Sequence, residues 1–173
     1  MKLLIDADVL AYEAGFAAQK TVYDYKDHVF KDAKEAKNYC EQHDLDYRAL
    51  RRADEIVARV EVMPEAAAVN VYRMKLASIL NKLNSRDYKL LLSGDGNFRD
   101  KVGVTKKYKA NRVNVPKPEH YLLVRNLILQ DPRSELTVGV EADDAMGMYV
   151  TDDPSAVICS IDKDLNQIPC LRS

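Results

Sequence analysis

The chain opens with Leu3-Leu4-Ile5-Asp6-Ala7-Asp8, a short apolar run that ends in two carboxylates. Short apolar runs of this kind are typical of strands that are buried on both faces of a parallel sheet. Two later stretches repeat the arrangement: residues 136–140 lead into Glu141, and residues 156–161 lead into Asp162. The three stretches therefore predict parallel strands that carry acidic residues at their carboxyl ends.

The carboxyl ends of parallel strands share one edge of a sheet, and open α/β sheets bind their ligands at that edge. The acidic residues that follow the three predicted strands are Asp6, Asp8, Glu141, Asp143, Asp144, Asp162 and Asp164. Repulsion and loss of hydration would make such a cluster very unfavourable without cations. Because hard divalent ions prefer oxygen ligands, the pattern predicts Mg²⁺ or Mn²⁺ at this edge, and with it metal-dependent phosphate chemistry.

Strands and helices alternate along the rest of the chain. The spacing of apolar residues predicts a helix over residues 9–18, a polar edge hairpin over 22–30, a solvent-facing helix over 32–42, strands over 55–62 and 88–92, and helices over 65–83 and 119–130. Alternation of this kind favours an α/β fold, a three-layer sandwich with a mostly parallel central sheet. A length of 173 residues fits a single domain with a sizeable core.

Composition indicates an ordinary globular protein, with 47% hydrophobic and 31% charged residues and a formal net charge of −1. The sequence begins without a signal-peptide pattern and has no apolar stretch near the roughly 18 residues of a membrane span. We therefore expect a cytoplasmic protein with no membrane partner. Cys40, Cys159 and Cys170 lack metal-type spacing, and Cys159 is expected in the core of a strand.

The segment of residues 99–118 is polar, basic and closed by prolines. It contains Lys106-Lys107-Tyr108-Lys109-Ala110-Asn111-Arg112, in which cations surround an aromatic residue, and it follows Asn97-Phe98-Arg99. Cations mixed with aromatic side chains suit a phosphate backbone and a base or sugar face. A solvated charged loop would have a similar composition, and both interpretations remain open at this point.

The stretch Glu141-Ala142-Asp143-Asp144 stands where a strand is expected to give way to a helix. Acidic residues stabilise helix N-termini by roughly 0.3–1 kcal/mol each, so capping alone accounts for one or two of them. Capping does not account for three within four positions, because they repel one another. The stretch therefore favours a metal site.

Together these motifs resemble the 5′→3′ exonucleases and flap endonucleases, and most closely their short bacteriophage members. The matching stretches are residues 4–8, 97–99, 108–112, 141–144 and 160–169, in the family's order. The resemblance covers most of the chain apart from residues 20–85. It implies a PIN-like nuclease domain, two bound Mg²⁺ or Mn²⁺ ions and a DNA substrate with a 5′ end, a flap or a single-stranded segment, as in DNA replication.

The resemblance also implies a role for each matching residue. Asp6 and Asp143 would act in catalysis as metal ligands, and the full set of metal-holding carboxylates would be Asp6, Glu141, Asp143, Asp144, Asp162 and Asp164. Lys109 and Arg112 would contact the scissile phosphate from a basic gateway, or arch, within residues 99–118. The nucleic-acid-binding residues would be Arg99, Lys106, Lys107, Tyr108, Lys109 and Arg112, with Tyr108 stacking on a base.

Two features differ from the family pattern. Ser93 stands where the family has an aspartate after a strand, so either Asp95 supplies that ligand from a shifted loop or the ligand is missing. Family members also continue beyond the stretch matching residues 167–169 into a helix-hairpin-helix region that grips duplex DNA. Without that region we expect weak binding to duplex DNA and impaired cleavage.

Three functions are compatible with the sequence. The first is metal-dependent hydrolysis of DNA, or of RNA–DNA hybrids, at or near 5′ ends. The second is a haloacid dehalogenase-like phosphatase, because Asp6-Ala7-Asp8-Val9-Leu10 also matches the nucleophile motif of that family, with Asp6 as nucleophile. The third is a non-catalytic module that binds nucleic acid.

Overall fold

The computed structural model describes residues 1–94, 116–161 and 165, and the backbone of 171–172. Its strands are β1 (Leu3–Asp6), β2 (Gln19–Tyr25), β3 (His28–Phe30), β4 (Val57–Val62), β5 (Tyr88–Ser93), β6 (Ser134–Thr137), β7 (Val157–Cys159) and β8 (Leu171–Arg172). Its helices are α1 (Ala7–Ala17), α2 (Ala33–Gln42), α3 (Tyr47–Arg52), α4 (Glu65–Lys82), α5 (Tyr121–Leu129) and α6 (Ala142–Asp152).

The main sheet has the strand order β6-β5-β1-β7-β8, and all of its pairings are parallel. Strand β1 lies at the centre, where Ile5 pairs with Leu90 of β5 on one side and with Cys159 of β7 on the other. Every residue of β1 is buried. The predicted α/β class is therefore confirmed, with the first strand at the centre of the sheet.

Helices pack on both faces of the main sheet. Leu3 and Ile5 point into a core shared with α1, α4 and α5. Leu4 points to the opposite face, where it packs with Met146 and Val150 of α6. Side chains alternate between the two faces of a strand, so a run of consecutive leucine and isoleucine residues supplies apolar contacts to both layers.

A smaller antiparallel sheet has the order β3-β2-β4. The predicted hairpin forms at Lys26 and Asp27, and Lys26 has a left-handed backbone with φ of 51°. The hairpin pairs with β4 in its own sheet and not at the edge of the main one. Helices α2 and α3 contribute to the core beside it. Helix α2 was expected to face solvent, yet its Ala36 and Cys40 are fully buried there.

One predicted strand ends earlier than expected. Residues 136–140 were expected to form a strand that runs directly into Glu141, but β6 ends at Thr137. The chain then bends through Gly139, whose φ is 76°. The Thr137 hydroxyl donates to the carbonyl of Val140 at 2.7 Å, which closes the bend, and Val138 points into solvent. A local hydrogen bond and a left-handed glycine thus end the strand, although the residues are β-formers.

Among the described helices, none combines the length and the apolar character needed to cross a membrane.

Candidate active site at the carboxyl edge of the sheet

The carboxyl ends of β1 and β5 open onto a cavity of about 640 Å³. The first turn of α1, the N-terminus of α6 and one side of α5 complete its walls. Its acidic lining residues are Asp6, Asp8, Glu141 and Asp143, and its basic ones are Lys117 and Arg125. The cavity therefore lies at the edge where the sequence analysis placed the ligand.

Asp6 is the most buried of these carboxylates, with 8% of its surface exposed. It is the N-cap of α1 and accepts a hydrogen bond from the Val9 backbone N–H at 3.1 Å. Its other oxygen accepts from the Ser160 hydroxyl at 2.8 Å, after β7. Burial raises the pKa of Asp6, and the nearby charges of Asp8 and Asp143 raise it further, against the two hydrogen bonds that lower it. The folded chain therefore disfavours the charged form of Asp6.

Glu141, Asp143 and Asp144 surround the N-terminus of α6. Glu141 is the N-cap, and its side chain and that of Asp144 form a reciprocal capping box. Glu141 and Asp143 line the same cavity as Asp6. Asp144 is held in the cap by the Glu141 backbone N–H at 3.4 Å and does not line the cavity. Helix capping therefore accounts for Asp144, whereas Glu141 and Asp143 also face the cavity in which a metal ion was predicted.

Arg125 of α5 forms a contact that sequence reasoning missed. Its guanidinium donates to Asp8 at 2.7 Å and to the Ser93 carbonyl at 2.5 Å. The second oxygen of Asp8 accepts the Ser93 backbone N–H at 2.7 Å. Asp8 therefore faces the same cavity as Asp6 while it joins α1 to the end of β5. In the sequence, Arg125 is simply a polar position of an amphipathic helix, so no local pattern pointed to it.

Ser93 has a structural role at the end of β5. Its hydroxyl accepts the Ala142 backbone N–H at 3.0 Å and so holds the N-terminus of α6 against the end of β5. The next residue, Gly94, lies against β6: a Cβ there would be 2.1 Å from the Thr137 carbonyl oxygen. The end of β5 is thus fixed by close contacts on both sides.

Aromatic residues form another wall of the cavity, which the sequence analysis also missed. Tyr12 of α1 and Tyr121 of α5 lie with their ring centroids 4.5 Å apart. The Lys117 ammonium is 4.8 Å from the centre of the Tyr121 ring. Burial raises the pKa of Tyr121, as does the charge of Asp8, so its hydroxyl stays protonated at neutral pH. The wall combines an apolar surface with a cation.

Replacing Arg125 by methionine is expected to lower the free energy of unfolding by about 2 kcal/mol, because hydrogen bonds to charged groups contribute roughly 1.5–3 kcal/mol. The Arg125 and Asp8 side chains are 17% and 21% exposed. Urea unfolding at pH 7 measures the loss. Arg133→Met is the control, since Arg133 pairs with Asp131 but is 50% exposed, and the expected loss is below about 1 kcal/mol. Equal losses in Arg125→Met and Arg133→Met would show that the Arg125–Asp8 contact stabilises the fold no more than an exposed ion pair does.

The other predicted ligands and contacts lie outside the described residues: Asp95, Asp162, Asp164, Arg99, Lys106, Lys107, Tyr108, Lys109 and Arg112. Within residues 1–94 and 116–161, no three acidic, histidine or cysteine side chains come together closely enough to hold a metal ion. The part of the predicted set that the structure describes is Asp6, Glu141 and Asp143 around one cavity, with Asp144 beside it.

The chain matches no family model, no curated protein and no solved structure.

Proposed function

We propose that the chain is a PIN-like nuclease domain that hydrolyses phosphodiester bonds of DNA, or of RNA–DNA hybrids, at or near 5′ ends with the help of divalent metal ions. The observation that carries the proposal is the placement of Asp6 and Asp143 on one cavity at the carboxyl edge of a parallel sheet. Carboxylate oxygens that line one cavity are the ligands that a hard divalent cation prefers. A bound ion of this kind would favour the charged form of the buried Asp6.

The donor set fits Mg²⁺ or Mn²⁺, because the cavity offers carboxylate oxygens and, among its lining residues, neither cysteine nor histidine. Asp6, Glu141 and Asp143 would hold the ions, with Asp95, Asp162 and Asp164 completing a site for two, while Asp144 stays in the cap of α6. When bound, such ions activate water and stabilise charge on a phosphate in transfer. Asp6 is kept in place for this role by its hydrogen bonds to Val9 and Ser160.

The basic residues of the chain would recruit the substrate. Lys109 and Arg112 would contact the scissile phosphate, and Arg99, Lys106, Lys107 and Tyr108 would bind the strand around it. Lys117 belongs to the same basic segment, residues 99–118, and lines the cavity, so a cation is already present beside the acidic residues. Positive charge at this point suits a polyanionic substrate that must approach a set of carboxylates.

The phosphatase alternative has less support from the geometry. It requires Asp6 to attack a phosphate and Asp8 to transfer a proton. Each oxygen of Asp8 already accepts a hydrogen bond, from Arg125 and from the Ser93 N–H. Proton transfer by Asp8 would require that ion pair to open. Trapping by beryllium fluoride, which mimics an aspartyl phosphate, would favour the phosphatase.

Cleavage assays on single-stranded, 5′-flap and RNA–DNA hybrid oligonucleotides with a 5′ label test the proposal directly. With Mn²⁺ we expect short labelled products from the 5′ end, and with EDTA we expect none, because the carboxylates need the ion to act on phosphate. Binding of all substrates without cleavage in either Mg²⁺ or Mn²⁺ would identify a binding module. Cleavage that is unaffected by EDTA would contradict the metal assignment.

A further inference from the structure

We propose that two copies of this chain associate through β4, the outer strand of the small sheet, by antiparallel pairing about a twofold axis at Val60. This inference is independent of the nuclease proposal. It concerns a surface formed by residues 57–63, which we call the β4 edge, and it names a second copy of the chain as the partner.

The β4 edge is an open strand edge with an apolar surface. Strand β4 pairs with β2 along its whole length, and the order β3-β2-β4 leaves its other side without a strand among the described residues. Its large apolar side chains are between 44% and 53% exposed: Val57, Val60, Val62 and Met63. The strand contains no proline or glycine, and edges of this kind tend to pair with another strand.

Main-chain groups of β4 that pair with no other described residue point outward at alternate positions. The Met63 backbone N–H donates to the Ala18 carbonyl at 2.8 Å, on the β2 side. Because main-chain hydrogen bonds alternate along an antiparallel strand, the N–H and C=O groups of Ala58, Val60 and Val62 point away from β2. A second strand at this edge would find donors and acceptors at those positions.

Charge complementarity selects the second copy as the partner. Arg59 and Glu61 lie two residues apart on the same face of β4. A twofold axis perpendicular to the sheet at Val60 places Arg59 opposite Glu61 of the second copy, and Glu61 opposite its Arg59. Moving the axis by one residue would instead bring Arg59 opposite Arg59, or Glu61 opposite Glu61. Opposite charges directly across an antiparallel pair stabilise it, and like charges destabilise it.

With the twofold axis at Val60, the remaining residues of the β4 edge also face suitable partners in the second copy. Val60 meets Val60, Ala58 meets Val62, and Val57 meets Met63, so each of these pairs is apolar. The pairs at Ala58, Val60 and Val62 are those whose main-chain groups point outward, and they would exchange hydrogen bonds between the copies. The Arg59–Glu61 pairs fall at the alternate positions, where opposite side chains approach more closely.

Ion pairs within each chain hold the Arg59 and Glu61 side chains in position for the proposed contact between copies. Arg59 donates to Asp24 at 2.6 Å and lies 2.9 Å from Glu61, which also pairs with Lys20 at 2.9 Å. The Arg59 and Glu61 side chains keep 45% and 36% of their surface exposed. The second copy would extend this row of alternating charges across the axis. The product is one continuous sheet in the order β3-β2-β4-β4-β2-β3.

Sedimentation equilibrium of the full chain tests the proposal through two matched variants, Arg59→Glu and Glu61→Arg. We expect the parent to shift with concentration from the 19.6 kDa monomer towards twice that mass. Because only residues 57–63 of each copy would form the contact, we expect micromolar or weaker affinity. Each variant should be a monomer, because like charges then face each other. Mixed in equal amounts, the two variants should associate at least as well as the parent, since every charged pair is again of opposite sign.

A third variant, Val60→Lys, tests the proposal even if the first two variants misfold. It places two ammonium groups together at the twofold axis and leaves the ion pairs of Arg59 and Glu61 intact, so we expect a monomer with an unchanged circular dichroism spectrum. The proposal is wrong if the parent stays a monomer up to about millimolar concentration. It is also wrong if Val60→Lys still dimerises, or if the mixture of folded charge variants stays monomeric.

Discussion

Asp6→Asn is expected to reduce Mn²⁺-dependent cleavage of a 5′-flap substrate by about 10³-fold, since a catalytic metal contributes several kcal/mol to the transition state. The amide keeps the shape of the carboxylate and can still accept the Val9 N–H as the N-cap of α1. It loses one of the charges that would hold the ion. Single-turnover cleavage rates with and without Mn²⁺ measure the effect.

The same substitution is expected to raise the melting temperature at pH 7 in EDTA. Burial raises the pKa of Asp6 in the folded chain, so the carboxyl contributes stability below its unfolded pKa of about 4 and loses it as the pH rises through the folded pKa. Asparagine does not titrate. The advantage of the variant should therefore be absent below about pH 4 and grow as the pH rises. Thermal melts from pH 3.5 to 7.5 measure it.

In Mn²⁺ the parent should have a higher melting temperature than Asp6→Asn, the reverse of the order expected in EDTA. Mn²⁺ should raise the melting temperature of the parent, which binds the ion, and change that of Asp6→Asn little. Asp153→Asn is the matched control, because Asp153 precedes β7 at the opposite edge of the sheet. Its carboxylate accepts a hydrogen bond from the Ser155 backbone N–H. That control should keep both the cleavage rate and the Mn²⁺ response. If Asp6→Asn retains the parental rate, Asp6 is not a metal ligand.

Gly94→Ala is expected to lower the free energy of unfolding by about 3 kcal/mol, at the upper end of the usual cost of overpacking. The added Cβ would lie 2.1 Å from the Thr137 carbonyl oxygen, a backbone atom that cannot rotate away. The ends of β5 and β6 would have to separate, although Ser93 pairs with Thr137 there. Urea unfolding gives the free energy.

Gly15→Ala is the matched comparison for this glycine. A Cβ at Gly15 would meet ring carbons of Pro118 at 2.6 and 2.9 Å. Because a side-chain ring before α5 can shift more easily than a strand carbonyl, we expect a loss of only about 1–2 kcal/mol. A loss at Gly94 that does not exceed the loss at Gly15 would show that the ends of β5 and β6 are not rigidly packed.

Much of the main sheet could be predicted from the sequence because its signals are local. A continuous apolar run at residues 3–5 can be accommodated only where both faces of a strand are covered, and this placed β1 at the centre. A helix was expected over residues 65–83, and α4 spans Glu65–Lys82 directly after Pro64. Cys159 was expected in a strand core, where burial raises its pKa to about 11.

Other features could not be predicted because they depend on residues that are distant in sequence. Helix α3 is short and has no fully buried side chain of its own, so apolar spacing gave no sign of it. The end of β6 depends on the Thr137 hydroxyl, which bonds to Leu92 of the neighbouring strand as well as to Val140. The contact of Arg125 with Asp8 joins positions 117 residues apart.

The sequence by itself determined the α/β class, the central strand and the acidic residues at its carboxyl end, because periodicity and composition decide which segments are buried on both faces. Only the tertiary structure decided which acidic residues share a cavity: Asp6, Asp8, Glu141 and Asp143 do, while Asp144 closes a helix cap. It also decided that Arg125 and Ser93 hold that edge together. Such pairings depend on strand order and helix packing, which short stretches of sequence do not encode.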